Sequence, residues 1–404
     1  MNDHMDALLG YTNPDPDTAP REGALANRRV AIRPNLSVCR WPADAGSKAL
    51  ENYHPIEDAA AVKRVRDNGA RLMGMGKMSE LGFGIKYETS HRLISEKTCN
   101  TVLGTDATGE ARYLAAMAGA WGYKPSFGIC STLGMIGLVP SMECISVIVD
   151  APFALAPVLE AVSGKETRDF SMLWDNLPNF PAAGQSDANH CKIGVIAEQR
   201  ERLDEIDKKA FDEALDRLAQ KGLEVETLSF PDHGLFRLVH HVVGSTEASS
   251  SAGKYDGVRY GHRSKNSTHW NDMYLSTRQE AFGELIKSYL FQGAFFQFEN
   301  YPAFEHACRL RNHLLRQTET LFENIDLIVS PVRQSRLDAT RAETVDDIYD
   351  AFELTLPANV AGLPALSVPG FVMAGGTDLG LQITAPHLGD ADLIRFAETY
   401  LTAL

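Results

Sequence analysis

The sequence is short of positive charge. It carries 39 lysines and arginines against 53 aspartates and glutamates, which gives a formal net charge of −14. A broad nucleic-acid surface needs clustered lysine and arginine to neutralise phosphates, so we predict that this chain does not bind nucleic acid. A small anionic ligand held by one or two arginines is compatible with this charge balance.

Cysteines are also few, and none of the six belongs to a CxxC pair. This spacing indicates neither a zinc knuckle nor a dithiol redox site. Scattered cysteines in a chain of this size are typical of reduced, buried thiols, so the expected location is cytoplasmic. The twelve histidines lack the HExxH spacing of a zinc site. We therefore expect no metal and no other cofactor.

Long apolar runs, repeats and low-complexity segments are missing as well. No stretch is long and apolar enough to span a bilayer, so no membrane association is predicted. Residues 1–20 end in proline- and aspartate-rich sequence, and we expect them to form a mobile N-terminal arm. Acidic residues before a very short apolar run are not typical of a signal peptide.

The rest of the chain is ordinary globular material, with 44% hydrophobic and 23% charged residues over 404 positions. This is enough to bury a sizeable core. The apolar pattern and its end signals predict strands at 29–33, 70–74, 192–197 and 225–230 and helices at 56–68 and 203–220. The later segments alternate as in βαβ units, which indicates an α/β protein.

Residues 104–128, GTDATGEARYLAAMAGAWGYKPSFG, carry the first part of a family resemblance. They are similar to the pattern GTDTGGSxR…GxxGxKPSxG of the amidase signature family. VAIRPN at 30–35 and GKMSELGFG at 76–84 are similar to VAVKDN and GKTxMxEFAxG in that family. Four later segments resemble in particular the A subunits of the tRNA-dependent glutamine amidotransferases, at 255–261, 277–283, 325–331 and 354–365.

The resemblance covers nearly the whole chain, from about residue 23 to residue 404. It implies the α/β fold of that family, a large mixed central sheet covered by helices on both faces. It also implies one domain over residues 21–404. The activity of the family is amide hydrolysis by a serine–serine–lysine triad.

All three triad positions of this chain depart from the family pattern. Glu110 stands where the family has the serine that attacks the amide carbonyl, and Arg33 stands where it has the catalytic lysine. The glycine- and serine-rich loop that supplies the second serine is missing around residues 95–103. A carboxylate cannot take and release an acyl group as a hydroxyl does. Arginine stays protonated, so it cannot replace lysine as a base.

Glu110 and Arg33 are still the candidate catalytic residues. Glu110 could act as a general acid or base, or it could be a salt-bridged residue paired with Arg33 or Arg112. Arg33 could clamp a carboxylate or phosphate, or it could be a structural counter-ion for Glu110 or Asp106. Asp106 and Arg112 match retained family positions, and we expect them to brace the turn.

Further residues are candidates for substrate binding. Backbone N–H groups of residues 105–109 match those that help to stabilise an oxyanion in the family. The family's amidotransferases hold the amino-acid end of glutamine with an arginine and an aspartate, which are matched here by Ser288 or Tyr289 and by Phe352. These substitutions argue against glutamine binding in the usual pose. The candidates are Thr105, Asp106, Thr108, Gly109, Tyr289 and Phe352.

An aromatic cluster falls between residues 291 and 301. We predict that it belongs to the core or to a pocket wall rather than to a stacking platform. Its members are Phe291, Phe295, Phe296, Phe298 and Tyr301.

Three functions stay open. The leading one is a repurposed enzyme that acts on a small carbonyl or amide-like metabolite, with Glu110 as acid or base and Arg33 as anion clamp. The second is a non-catalytic scaffold or binding subunit, with a protein partner or a second copy of the chain. The third is an amide hydrolase with a rebuilt nucleophile at Ser95, Ser131 or Cys99. A closed, salt-bridged Glu110 favours the scaffold, and an open cavity that reaches Glu110 and Arg33 favours chemistry.

Overall fold

A computed structural model describes residues 8–13, 22–173, 177–178, 180, 191–265 and 267–401. The strands of these ranges are β1 Leu9–Thr12, β2 Arg29–Ile32, β3 Arg71–Gly76, β4 Thr101–Asp106, β5 Trp121–Lys124, β6 Cys144–Val149, β7 Lys192–Ile196, β8 Glu224–Leu228, β9 Leu327–Pro331, β10 Ala365–Val368, β11 Met373–Ala374, β12 Thr377–Asp378 and β13 Leu381–Thr384. The α-helices are α1 Ala60–Asp67, α2 Ser90–Ser95, α3 Glu110–Ala118, α4 Leu155–Val162, α5 Ala197–Arg200, α6 Glu205–Gln220, α7 Leu235–Ser251, α8 Trp270–Ala281, α9 Glu284–Ala294, α10 Tyr301–Leu321, α11 Val345–Phe352, α12 Leu356–Val360 and α13 Asp390–Tyr400.

Eleven strands form one sheet in the order β1-β3-β2-β4-β6-β5-β10-β13-β9-β7-β8. β2 runs parallel to β3 and β4, and β7 runs parallel to β8 and β9. The strands between β4 and β9 pair antiparallel. The sheet is therefore mixed, and the predicted fold class is confirmed.

The sheet is buried on both faces because neighbouring residues of its strands enter different apolar clusters. In β2, Val30 and Ile32 pack into one cluster with helices α1, α4, α6 and α13. Ala31 points the other way, into a cluster with α3, α7, α9, α10 and α11. Side chains alternate across a strand, so a strand covered on both faces is apolar at successive positions.

Several predicted elements are found with shifted ends. The helix predicted at 56–68 begins at Ala60, because the backbone N–H groups of Ala59 and Ala60 donate to carbonyls of Ser37 and Leu133 instead of continuing the helix backwards. The helix predicted at 203–220 begins after Asp204, whose carboxylate accepts from two N–H groups of the first turn.

The N-terminal segment differs from the expected mobile arm where the structure describes it. Leu9–Thr12 forms an edge strand that pairs antiparallel with β3, and Leu8 and Leu9 are buried. Ladder hydrogen bonds and apolar burial attach this part of the arm to the sheet, while residues 1–7 and 14–21 lie outside the described residues. Across the described ranges, no helix has both the length and the apolar character needed to cross a bilayer.

Candidate functional site

The candidate site lies where β4 ends and α3 begins. β4 ends at Asp106 and α3 starts at Glu110, so three residues make the turn. Gly109 has a φ of 136°, and a Cβ there would lie 2.1 Å from the Thr355 hydroxyl oxygen. That hydroxyl donates to the carbonyl of Thr108 at 2.6 Å. The glycine thus lets the turn close tightly, and the backbone N–H groups of the turn converge.

The Glu110 carboxylate accepts all the hydrogen bonds that this turn offers from residues 107–109. One oxygen accepts from the backbone N–H groups of Ala107 at 2.8 Å, Thr108 at 2.9 Å and Gly109 at 3.2 Å. The other accepts from the Thr108 hydroxyl at 2.7 Å. The Glu110 side chain is only 1% exposed. The donors that would face a developing oxyanion are therefore occupied by a carboxylate of the chain itself.

Arg33 is also closed to solvent, at 2% exposure. It donates to the carbonyl of Thr105 at 2.8 Å and forms a hydrogen-bonded ion pair with Glu88, which also accepts from the Ser90 hydroxyl at 3.1 Å. Gly104 makes room for this arrangement, because a Cβ there would lie 2.4 Å from the Arg33 Cδ. The counter-ion is thus Glu88, where the sequence suggested Glu110 or Asp106.

Three buried carboxylates act on the charge of this one arginine. Burial alone would lower the pKa of Arg33, but Glu88, Glu110 and Glu143 raise it above its ordinary value. Burial raises the pKa of Glu88 despite the opposing effect of Arg33. Burial likewise raises the pKa of Glu143. Arg33 is therefore a permanent cation, and it cannot act as a base.

Asp106 and Arg112 form a fully buried ion pair behind the turn. Two guanidinium nitrogens donate to the two Asp106 oxygens at 2.8 and 3.1 Å. Arg112 also donates to Gln382 at 2.6 Å and to the carbonyl of Thr355 at 2.9 Å, and Asn359 donates to Asp106 at 3.0 Å. Burial would raise the pKa of Asp106, but Arg112 and these hydrogen bonds hold it below its usual value. The pair fixes the end of β4 against α3.

Tyr289 fills space next to the turn rather than facing a pocket. It is fully buried, and its ring stacks on Phe83 with centroids 4.2 Å apart. Its hydroxyl lies 3.1 Å from that of Tyr349, which lies 2.9 Å from Nδ1 of His240. Nε2 of His240 lies 2.9 Å from the carbonyl of Ala107, so it carries the proton and donates. Burial lowers the pKa of His240 to about 4, which keeps the ring neutral.

The other predicted substrate-binding residues are buried as well. Phe352 is fully buried and packs against Tyr113 at a centroid distance of 5.2 Å. Thr105 accepts a hydrogen bond from Asn35 at 2.8 Å, and Thr108 is 1% exposed. The predicted site residues thus gather around one turn. Phe352 is connected to the turn through Thr355, whose hydroxyl oxygen lies 2.8 Å from the Phe352 carbonyl oxygen.

Sequence reasoning missed Glu88, Glu143, His240 and Tyr349. Glu88 is 55 positions away from Arg33, and nothing in its local sequence distinguishes it from a solvated carboxylate. The only local signal for His240 is the neighbouring His241. The two residues differ in setting, because His240 is buried and His241 lines a cavity.

That cavity has a volume of about 910 Å3. Glu110 and Arg33 are not among its lining residues. The His241 ring packs on Tyr349, with centroids 4.8 Å apart. Tyr349 and His240 therefore lie between His241 in the cavity wall and the carbonyl of Ala107.

The three alternative nucleophiles sit in settings that do not activate them. Burial raises the pKa of the Cys99 thiol to about 12, so the thiol stays protonated. The Ser131 hydroxyl donates to Asp169 at 2.8 Å. Burial would raise the pKa of this carboxyl, but its hydrogen bonds hold it at about 2, so Asp169 is too weak a base to activate Ser131. The Ser95 hydroxyl lies 3.5 Å from the carbonyl of Arg92, in the last turn of α2.

The chain is similar to known proteins over nearly its whole length. The glutamyl-tRNA(Gln) amidotransferase A subunit of Natronomonas pharaonis is 29% identical, with 93% of this chain and 95% of the relative covered. The protein of the same name from Pediococcus pentosaceus is 30% identical, with 96% and 88% covered. The crystal structure of its namesake from Thermotoga maritima has the same fold, with a TM-score of 0.80 at 22% identity, covering 97% of this chain and 86% of the other. The amidase family model matches residues 14–100 and 90–394, and the chain therefore belongs to the amidase signature family.

Proposed function

We propose that this protein is a non-hydrolytic member of the amidase signature family that acts as a scaffold or binding subunit. The observation that carries this proposal is the position of the Glu110 carboxylate. It accepts from the N–H groups of Ala107, Thr108 and Gly109, the donors that an amidase of this family needs for its oxyanion.

Each requirement of acyl transfer is opposed by a particular feature of the chain. The nucleophile position holds a carboxylate that is already fully hydrogen-bonded. The base position holds Arg33. Burial would lower the pKa of Arg33, but the neighbouring carboxylates raise it above its ordinary value, so the side chain stays protonated. Occupation of the oxyanion donors would by itself lower the rate of hydrolysis strongly, since removal of one such donor from a serine hydrolase lowers kcat about 100- to 1,000-fold.

The repurposed-enzyme hypothesis fits this geometry less well. A general acid or base must come within hydrogen-bond reach of its substrate, and an anion clamp needs free N–H groups. Glu110 and Arg33 are 1% and 2% exposed, and their hydrogen bonds go to the chain itself. A substrate would reach them only if the turn and the aromatic residues around it moved apart.

The relatives support a role within an assembly. They carry the name of an amidotransferase subunit. We propose that this chain likewise works with a protein partner, and that the closed site at Glu110 and Arg33 no longer serves hydrolysis. All six cysteines are free, and we place this role in the cytoplasm on that ground.

The test compares the tagged wild-type chain with Glu110→Gln, both purified from the native cell. We expect a stoichiometric protein partner with both, and no release of ammonia from glutamine or of amine from aryl amides above the background of a heat-denatured sample. Glu213→Gln, an exposed change on α6, is the matched control. Turnover by the wild type that Glu110→Gln abolishes would overturn the proposal, and so would recovery of the chain without any stoichiometric partner.

A further inference from the structure

Four large aromatic side chains lie exposed along α9 and the start of α10. The chain passes between these helices through a π-helix, Phe295–Glu299. We call the four the aromatic ridge: Phe291 is 73% exposed, Phe295 51%, Phe298 74% and Tyr301 51%. The sequence predicts that the cluster belongs to the core or to a pocket wall, and the pocket wall is confirmed for Phe291, Phe295 and Phe296, which line a cavity. Phe298 and Tyr301 are exposed and do not line it. Exposed apolar side chains grouped in this way mark interaction sites.

The packing of α9 keeps the ridge outside. α9 presents Ile286, Tyr289 and Leu290 to the core. Gly293 lies directly on α7, where a Cβ would come within 1.8 Å of the carbonyl oxygen of Ser245. This contact leaves no space for α9 to rotate and bury the other face of the helix.

The cavity beside the ridge is acidic. Its lining includes Glu284, Glu343 and Asp346 and, among the described residues that form it, no lysine or arginine. The three carboxylates are 93%, 76% and 81% exposed, and each is paired at 3.1 to 3.4 Å with a base outside the cavity. Exposed pairs of this kind contribute little, so the carboxylates can accept a second cation at small cost.

We propose that the aromatic ridge and its cavity bind a segment of another protein that presents apolar side chains beside lysine or arginine. This inference rests on the proposed scaffold function and names the chemistry of its partner. The apolar side chains would cover Phe291, Phe295 and Phe298, and the cations would meet the acidic wall. Lysine and arginine over an aromatic face add a cation–π contribution.

The extent of the ridge favours a polypeptide over a small molecule. Phe298 and Tyr301 are not among the lining residues of the cavity, so a ligand inside it would leave them exposed. Charge disfavours a second copy of the chain. In a two-fold dimer the same patch meets itself, which would bring two sets of the three carboxylates together.

The experiment measures binding of a labelled peptide of about twelve residues, built from leucine, phenylalanine and lysine, by fluorescence anisotropy. The control peptide carries glutamate in place of lysine. The ridge variant is Phe291→Ser/Phe298→Ser, and the charge variant is Glu284→Lys/Glu343→Lys/Asp346→Lys. Its matched control changes three exposed carboxylates elsewhere by the same total charge, Glu201→Lys/Glu213→Lys/Asp216→Lys.

We expect the lysine peptide to bind the wild type and the matched control alike. The Kd of this peptide should rise at least about tenfold with the ridge variant and with the charge variant. Added salt should weaken binding of the peptide to the wild type because the charged groups are exposed. Undiminished binding to the ridge variant, equal binding to the charge variant and its matched control, binding of the glutamate peptide, or no binding at all would overturn the proposal. Complete displacement by phenethylammonium would overturn it in favour of a small organic cation in the cavity, and a dimer that the ridge variant dissociates would overturn it in favour of a second copy.

The fate of the native partner separates this inference from the proposed function. We expect the ridge variant to lose the stoichiometric partner that the wild type recovers. If it keeps that partner, the scaffold function stands and the assignment of the surface is wrong. If hydrolysis that depends on Glu110 is found while the peptide results hold, the proposed function is wrong and the surface remains.

Discussion

Replacement of Glu110 by alanine tests whether the carboxylate completes the fold or serves a substrate. In the structure it accepts from three backbone N–H groups and one hydroxyl, all inside the protein. Alanine removes the acceptor and leaves these donors facing an apolar gap. We therefore expect Glu110→Ala to destabilise the protein.

The magnitude follows from the number of donors. A buried donor without a partner costs about 1–3 kcal/mol. Water can enter the vacated space and satisfy some of the four donors. Loss of the Glu110 charge also removes a repulsion from the carboxylates of Glu88 and Glu143, whose pKa values are raised mainly by burial and further by Glu110. With two donors left unsatisfied at about 1–3 kcal/mol each, the expected loss is about 2–6 kcal/mol.

The assay is the denaturant midpoint and the thermal melting temperature of Glu110→Ala beside Glu213→Ala. The control residue is exposed on α6, so its change should stay within about 0.5 kcal/mol. Sodium formate should raise the melting temperature of Glu110→Ala more than that of the wild type, because formate can replace the lost carboxylate. An acid kept for catalysis often costs stability, and its removal is then neutral or stabilising. A Glu110→Ala protein as stable as the wild type would therefore refute the reasoning.

Three further predictions test the pairing of Arg33 and the settings of the alternative nucleophiles. Arg33→Met leaves Glu88 buried without its cation and should cost about 3–5 kcal/mol, most of which Arg33→Met/Glu88→Gln should recover; a simple sum of the two single losses would contradict the pairing. Burial would raise the pKa of Asp169, but its hydrogen bonds hold it at about 2, below the unfolded value of about 3.9. The contribution of ionised Asp169 to stability is therefore present above about pH 4 and lost as the pH falls toward 2. The difference in denaturant midpoint between wild type and Asp169→Asn should shrink over that range, and a constant difference would contradict the lowered pKa. Burial raises the pKa of Cys99 to about 12, so iodoacetamide at pH 8 should label the exposed Cys308 well before Cys99 in the native protein, and the reverse order would revive Cys99 as a nucleophile.

The sequence predicts the fold well because two independent signals agree there. Continuous apolar residues such as Val30, Ala31 and Ile32 mark strands that are buried on both faces, and the family motifs place those strands in order. The ends of elements are less predictable. Where α1 begins depends on hydrogen bonds from Ala59 and Ala60 to segments that are distant in the sequence.

The candidate site is predictable in composition and not in geometry. The motif places Glu110, Asp106 and Arg33 at one turn, and the structure brings them there. Whether Glu110 faces a pocket or its own backbone depends on the φ of Gly109 and on the packing of Thr355, which is 245 positions further along the chain than Glu110. The pairing of Arg33 with Glu88 has the same character, because it depends on tertiary packing alone.

The central claim is that Glu110 satisfies the N–H groups of Ala107, Thr108 and Gly109 in the resting protein. Hydrogen–deuterium exchange, resolved to single residues by fragmentation in the mass spectrometer, measures this directly. We expect these three amides to exchange as slowly as those of β4 in the wild type, and at least about tenfold faster in Glu110→Ala. Fast exchange of the three amides in the wild type, unchanged by Glu110→Ala, would contradict it and would indicate an open, solvent-filled site.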